Sequence, residues 1–191
     1  MRIAMIGGGY VGLVSGACFA EFGSDVVVVE VDPTKLAALR EGRIPIYEPG
    51  LEKIVSENMA AGRLSFTHDL AASVLDADAV FIAVGTPTRR GGGHADLTYV
   101  YEAARQIARA ARSDLLVVTK STVPVGTGRE VARILAEERP ELTFSVASNP
   151  EFLREGNAIG DFMRPDRVVI GIDRTDETAG QRAEDVMRAL Y

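Results

Sequence analysis

The chain predicts an α/β fold, a doubly wound and mainly parallel sheet with helices on both faces, and three observations carry that prediction. Short runs rich in Val and Ile alternate with longer stretches of helical periodicity along the whole chain. The apolar runs are near-continuous, as expected of strands covered on both faces. A glycine-rich turn, Gly7 to Gly12, separates the first apolar run from the first helical stretch.

The first strand is expected at Arg2 to Ile6. The first helix should begin at Tyr10 or Val11, with Val14, Ala17, Cys18 and Phe22 spaced as one apolar stripe and Gly23 as the stop. Further strands are expected at Asp25 to Val31, Leu64 to Thr67, Ala79 to Val84, Leu115 to Lys120, Phe144 to Ser148 and Arg167 to Gly171. Helices are expected at Thr34 to Glu41, Gly50 to Ala60, Asp69 to Leu75, Leu97 to Ala111, Gly126 to Glu138 and Thr175 to Leu190. Right-handed crossovers distribute these helices over both faces of the sheet. Two stretches carry no regular pattern, Gly85 to Asp96 (GTPTRRGGGHAD) and Asn149 to Asp166. Connections of that length in a compact domain read as functional loops.

With 191 residues and 47% hydrophobic content, the chain can bury a sizeable core as one large domain. A formal charge of -6 and a pI near 5.0 argue against nucleic acid as a partner. The single cysteine, Cys18, cannot form an internal disulfide, and with no Cys/His cluster there is no metal site to argue from. A reducing, cytoplasmic setting is expected. The apolar start runs into glycine at position 7, too soon for a signal peptide or a membrane span.

Gly7-Gly8-Gly9-Tyr10-Val11-Gly12 fits G-x-G-x-x-G between a strand and a helix, where absent side chains allow a tight turn and close approach by a pyrophosphate. Helix N-H groups then face the negative charge. Glu30, 18 residues after Gly12 at the end of the second strand, stands where a carboxylate accepts from an adenosine ribose and repels a 2'-phosphate. NAD is favoured over NADP, with Asp32 a second acceptor candidate. A plain glycine-rich turn and a solvated strand-end glutamate are the structural alternatives.

Six ordered blocks now stand together: MIGGGYVGLVSGACFAEFG, IPIYEPGL, AVGTPTRRGGGHADL, TKSTVPVGTG, SNPEFLREG and MRPDRVVIG. Over nearly the whole chain they resemble the nucleotide-sugar 6-dehydrogenases of the UDP-glucose/GDP-mannose dehydrogenase family. The resemblance implies a Rossmann-like NAD-binding N-terminal domain spanning residues 1–191. It implies oxidation of the sugar C6 alcohol to a carboxylate in two NAD-linked steps, through aldehyde and enzyme-bound thioester stages, UDP-glucose becoming UDP-glucuronate. GDP-mannose dehydrogenases share several blocks, so another nucleotide sugar stays open. A homo-oligomeric complete enzyme is also implied.

The implied cofactor contacts beyond the glycine loop (Gly7, Gly9, Tyr10, Gly12) are Val11, Glu30, Lys35, Thr86, Thr122 and Glu155. Glu30 departs from the aspartate more usual there, and Lys35 could equally be a solvated surface lysine. Glu151 is the implied acid/base beside the sugar C6, since thioester hydrolysis requires proton removal from water. Its alternative is an acid at a helix start. Thr122 is a water- or cofactor-positioning hydroxyl or a capped turn. Phe152, Leu153, Arg154 and Glu155 would join Glu151 in lining the substrate, Arg154 as a phosphate partner. Arg89 and Arg90 read as a solvated pair, and neither His68 nor His94 has a catalytic partner, which weakens a histidine-using dehydrogenase.

Cys18 lies in the first-helix stripe and reads as core, not as the nucleophile that the resemblance implies. That cysteine, with a substrate-binding lysine and asparagine, belongs to central and C-terminal portions that this chain does not contain. The chain is therefore expected to bind NAD without completing the four-electron oxidation alone. A non-catalytic NAD-sensing module is the competing expectation.

Overall fold

The computed structural model describes residues 1–88 and 95–191. Its seven-stranded sheet comprises β1 (Arg2–Ile6), β2 (Asp25–Val29), β3 (Leu64–Thr67), β4 (Ala79–Ile82), β5 (Leu115–Thr119), β6 (Phe144–Ser148) and β7 (Gly171–Ile172). The spatial order is β3-β2-β1-β4-β5-β6-β7, parallel except for the antiparallel β6–β7 pair. The chain therefore leaves β1 towards one edge and returns beside it as β4, which opens a crevice at the carboxyl ends of β1 and β4.

The helices are α1 (Tyr10–Glu21), α2 (Pro33–Arg40), α3 (Leu51–Ala60), α4 (Leu70–Leu75), α5 (Thr98–Ala110), α6 (Thr127–Glu138), α7 (Ala158–Met163) and α8 (Glu177–Leu190). Strand periodicity divides the core between them. Ile3 and Met5 of β1 with Val26, Val28, Phe66 and Phe81 face α1, α3, α7 and α8, whereas Ala4, Ile6, Val80, Ile82 and Val117 face α4, α5 and α6. Both faces of the central strands are buried, which is why their sequences run apolar without alternation.

Several details differ from expectation. Helix α1 is buried on every side from Gly12 to Ala20, lying between the sheet and the α3 and α7 helices, while Phe22 falls past its end and is 46% exposed. A stripe periodicity cannot be read from a helix with no wet face. Gly23 does end the turn, at φ +97°, a conformation that a Cβ penalises. Strands β2 and β4 stop at Val29 and Ile82, each two residues short of expectation, and the last strand is only Gly171–Ile172, pairing just with Ala147 and Ser148 at the sheet edge. The stretch 149–166, expected to be irregular, contains α7, whose Phe162 packs edge-on to Phe19 of α1 at 5.0 Å between centroids. No helix among the described residues is long and apolar enough to cross a membrane.

Candidate functional site

Strand register aligns the candidate residues before any side chain is considered. Val29, Ile6, Ile82, Thr119 and Ser148 are consecutive register partners across β2, β1, β4, β5 and β6. Glu30 and Gly7 follow that row by one residue, Gly9, Thr122 and Glu151 by three, and Thr86 by four. Parallel strands thus deliver five separate segments to one rim of the sheet.

The glycine loop is closed by backbone, its own and that of the neighbouring strand ends. Gly7 has φ +112°, and a Cβ there would lie 2.6 Å from the Ala83 carbonyl oxygen. A Cβ on Gly12 would lie 1.8 Å from the Gly7 carbonyl oxygen, so the turn excludes any side chain at either position. At Gly9 the contrast is complete: nothing lies within 4 Å of where a Cβ would stand. Gly9 is also the N-cap of α1, so unfilled space meets the exposed amides of a helix start, the environment a diphosphate requires. The residues fit the phosphates of a dinucleotide.

Beside the loop a cleft of about 420 Å³ is lined by Gly7 to Gly9, Glu30, Lys35 and Tyr99, among others. Glu30 is buried at its floor, where Oε1 accepts from the Asp32 amide (3.0 Å) and Oε2 lies 2.9 Å from Lys35 Nζ. Lys35 is therefore a wall of this cleft and the ion-pair partner of Glu30. Asp32 instead caps a helix, its Oδ1 accepting from the Thr34 and Lys35 amides at the start of α2. His68 lines the same cleft.

Thr86 and Thr122 come together directly, the Thr86 hydroxyl donating to the Thr122 carbonyl at 3.1 Å. The loops that carry them are pinned by Ser121, whose hydroxyl donates to the Val84 carbonyl (2.7 Å). Thr122 itself is exposed on the rim.

The stretch after β6 is held by side chains from elsewhere. Glu48, 6% exposed, comes from the IPIYEPG block. Its Oε2 accepts from the Tyr10 hydroxyl (2.5 Å) and the Gly156 amide (2.8 Å), and its Oε1 from the Ala158 amide (2.9 Å). The carboxylate so caps α7, whose own N-cap residue Asn157 makes no side-chain cap, and ties it to the first residue of α1. Burial and the neighbouring Glu48 raise the Tyr10 pKa, so the phenol stays a donor. Asn149 is anchored by Lys120, Nζ to Oδ1 3.0 Å, and by Tyr191, hydroxyl to Oδ1 2.7 Å.

Glu151 is half-buried, with Oε2 accepting from the Leu153 amide at 2.5 Å. Leu153 packs on the core, whereas Phe152 is exposed with the Arg167 guanidinium 5.5 Å from its ring centroid. Arg154 is engaged by Asp161, Nη2 to Oδ1 2.6 Å, and its amide also donates to Asp161 Oδ2 at 2.9 Å. The guanidinium expected for a phosphate thus already holds a carboxylate. Glu155 is exposed on the same turn. Cys18 is fully buried and its thiol is pushed up to about 12, chiefly by burial, as suits a core residue. Arg89, Arg90 and His94 lie outside the described residues.

Sequence reasoning missed Glu48, Lys120, Asn149 and Asp161 as builders of this rim. Lys120 carried a usable signal, a lysine closing an otherwise apolar strand. Glu48 carried none within its own segment, because its partners are 108 and 110 residues away.

The whole chain, residues 1–191, matches the family model described as "UDP-glucose/GDP-mannose dehydrogenase family, NAD binding domain". It is 61% identical over its full length to a UDP-glucose 6-dehydrogenase of Rhizobium meliloti, covering 44% of that protein. A UDP-glucose dehydrogenase structure from Pyrobaculum islandicum superposes with a TM-score of 0.90 at 48% identity, over all of this chain and 44% of that one. A GDP-mannose dehydrogenase from Pseudomonas aeruginosa, solved as a ternary complex, gives 0.93 at 37% identity, again over all of this chain and 44% of the other. The chain thus spans less than half the length of the relatives it matches.

Proposed function

The chain belongs to the UDP-glucose/GDP-mannose dehydrogenase family as its NAD-binding domain, and from that premise we propose that it is the cofactor-holding part of an enzyme oxidising the C6 alcohol of UDP-glucose to the carboxylate of UDP-glucuronate. The single observation that carries the proposal is the rim itself. Glycine loop, Glu30, Thr86, Thr122 and Glu151 leave five register-aligned strand ends on the side where the Gly9 cradle is open. UDP-glucose is favoured among nucleotide sugars by the names of relatives at 50% and 61% identity.

NAD, when bound, supplies the hydride acceptor. In this proposal the Gly7–Gly12 turn and the start of α1 hold the pyrophosphate, with Tyr10 and Val11 beside it. Glu30 accepts from the adenosine ribose while Lys35 offsets its charge. Thr86, Thr122 and Glu155 orient the reacting end of the cofactor. The backbone and side chains of Phe152, Leu153 and Arg154 line the sugar nucleotide, and Glu151 takes the proton from the hydrolytic water. A nucleophile and the remaining substrate contacts are assigned to portions of such proteins that this chain does not span. The chain alone is therefore expected to bind NAD without sustained turnover.

Titration of NAD against the chain, paired with assays of the longer protein on UDP-glucose and GDP-mannose, tests the proposal. Saturable NAD binding, and UDP-glucuronate formed with two NAD reduced per sugar, are expected. Turnover of GDP-mannose alone would replace the substrate, and sustained UDP-glucuronate production by residues 1–191 would remove the need for a further portion.

A further inference from the structure

Lys120 directly follows β5 and is 2% exposed. Its ammonium donates to Asn149 Oδ1 (3.0 Å) and to the Tyr191 hydroxyl (3.2 Å) and lies 5.3 Å from the Phe162 ring centroid. These partners are all neutral. An ion buried with only neutral partners is costly and is an uncommon choice where packing alone is needed. Burial holds the Lys120 pKa down at about 8, and the negative charge of Glu151 acts against that fall.

Lys120 and Glu151 also line one cavity of about 50 Å³, with Asn149 and Tyr191 in its wall. That volume accommodates water, and its walls offer several polar groups to hold it. The lysine thus stands where it can act on the turn bearing Glu151 in two ways, mechanically through Asn149 and electrostatically across the cavity.

We propose that Lys120 is a positioning residue for the proton transfer assigned to Glu151: it fixes the Asn149–Glu151 turn through Asn149 and supplies the buried positive charge that faces the Glu151 carboxylate. This rests on the assignment of Glu151 as proton acceptor. The other titratable groups about the lysine are Cys18 of α1, Tyr191 after α8, Asp161 of α7 and Arg167 before β7. Asp161 is neutralised by Arg154, and Cys18 and Tyr191 are both raised above their ordinary pKa values by burial. Among these groups Glu151 is the carboxylate left to receive the field of Lys120.

A nearby cation favours a carboxylate over a carboxylic acid, so removing it should move the acid limb of turnover to higher pH. In the longer enzyme, Lys120→Met should move the acid limb of kcat upward by about one unit, roughly tenfold in rate on that limb. NAD affinity should change by less than about threefold. Methionine leaves no orphan, since the Tyr191 hydroxyl already donates to Asn149 Oδ1. Lys120→Arg should return the limb to its parental position.

An unmoved limb in Lys120→Met overturns the proposal if Glu151→Gln still abolishes that limb. A limb that survives Glu151→Gln instead overturns the proton-acceptor assignment, and the proposal with it. Carbon-13 NMR titration of Lys120 in the Glu151→Gln protein supplies a readout independent of activity. Loss of the facing charge should lower the lysine pKa, and an unchanged value overturns the coupling.

Discussion

The two halves of the rim are built by opposite means. The Gly7–Gly12 turn is specified within six residues: a positive φ at Gly7 and a 1.8 Å Cβ clash at Gly12 leave one residue type at each. The 149–163 stretch is held by Glu48, Lys120 and Tyr191, which lie tens to more than a hundred residues away. A turn whose residue types are set by backbone geometry can present a fixed surface for a cofactor. A stretch hung on distant side chains reports the arrangement of the whole domain, and that dependence is where its geometry can be altered.

The sharpest break is expected within the glycine loop. Gly12→Ala drives a methyl into the Gly7 carbonyl and should cost at least about 3 kcal/mol or prevent folding, seen as a lowered denaturation midpoint. Gly9→Ala meets open space at an extended φ of -74° and ψ of -174°, so it should cost only the weaker N-cap preference of alanine, about 0.5–1 kcal/mol. Its NAD affinity should nevertheless fall, and unchanged affinity would remove Gly9 from the phosphate cradle.

Next in size is Glu48→Gln. An amide NH2 facing the Gly156 amide replaces an acceptor with a donor, and about 1–3 kcal/mol of stability should be lost. Hydrogen exchange should quicken at Gly156 and Ala158, and because the same carboxylate holds the Tyr10 hydroxyl at the start of α1, NAD affinity should fall as well. Unchanged affinity would show that the two halves are coupled only in structure and not in cofactor binding.

Glu30→Gln should leave the fold intact and weaken NAD by about tenfold, near 1.4 kcal/mol, by removing the charged acceptor from the cleft. Unaltered affinity would withdraw the ribose contact. Asp161→Asn is expected to have the smallest effect. Its carboxyl is held down at about 2 by the Arg154 side chain and amide, so its contribution to stability is present above the ordinary aspartate range near 4. That contribution disappears as pH falls towards 2, and parent and variant denaturation midpoints should converge there.

Much of the fold was legible because parallel strands covered on both faces must read as apolar runs, and β1, β3 and β6 match their expected bounds. α7 was not, since six residues supply too little periodicity and its cap arrives from Glu48. The glycine loop and Glu30 were visible from local spacing alone. Asp32 was ambiguous until the Thr34 and Lys35 amides identified it as a cap, and Arg154 until Asp161 took its guanidinium.

The sequence by itself determined the layered architecture, the glycine turn and the family, because each is written in short-range pattern: strand run, helix start, residue size. Tertiary structure alone decided that Glu48 would join Tyr10 to the start of α7, that Lys120 would be buried beside Glu151, and that Phe22 would lie outside the core. Those outcomes depend on which surfaces meet after strands pair and helices dock. A charged side chain finds its partners in space, and nothing in its own neighbourhood of the chain records them.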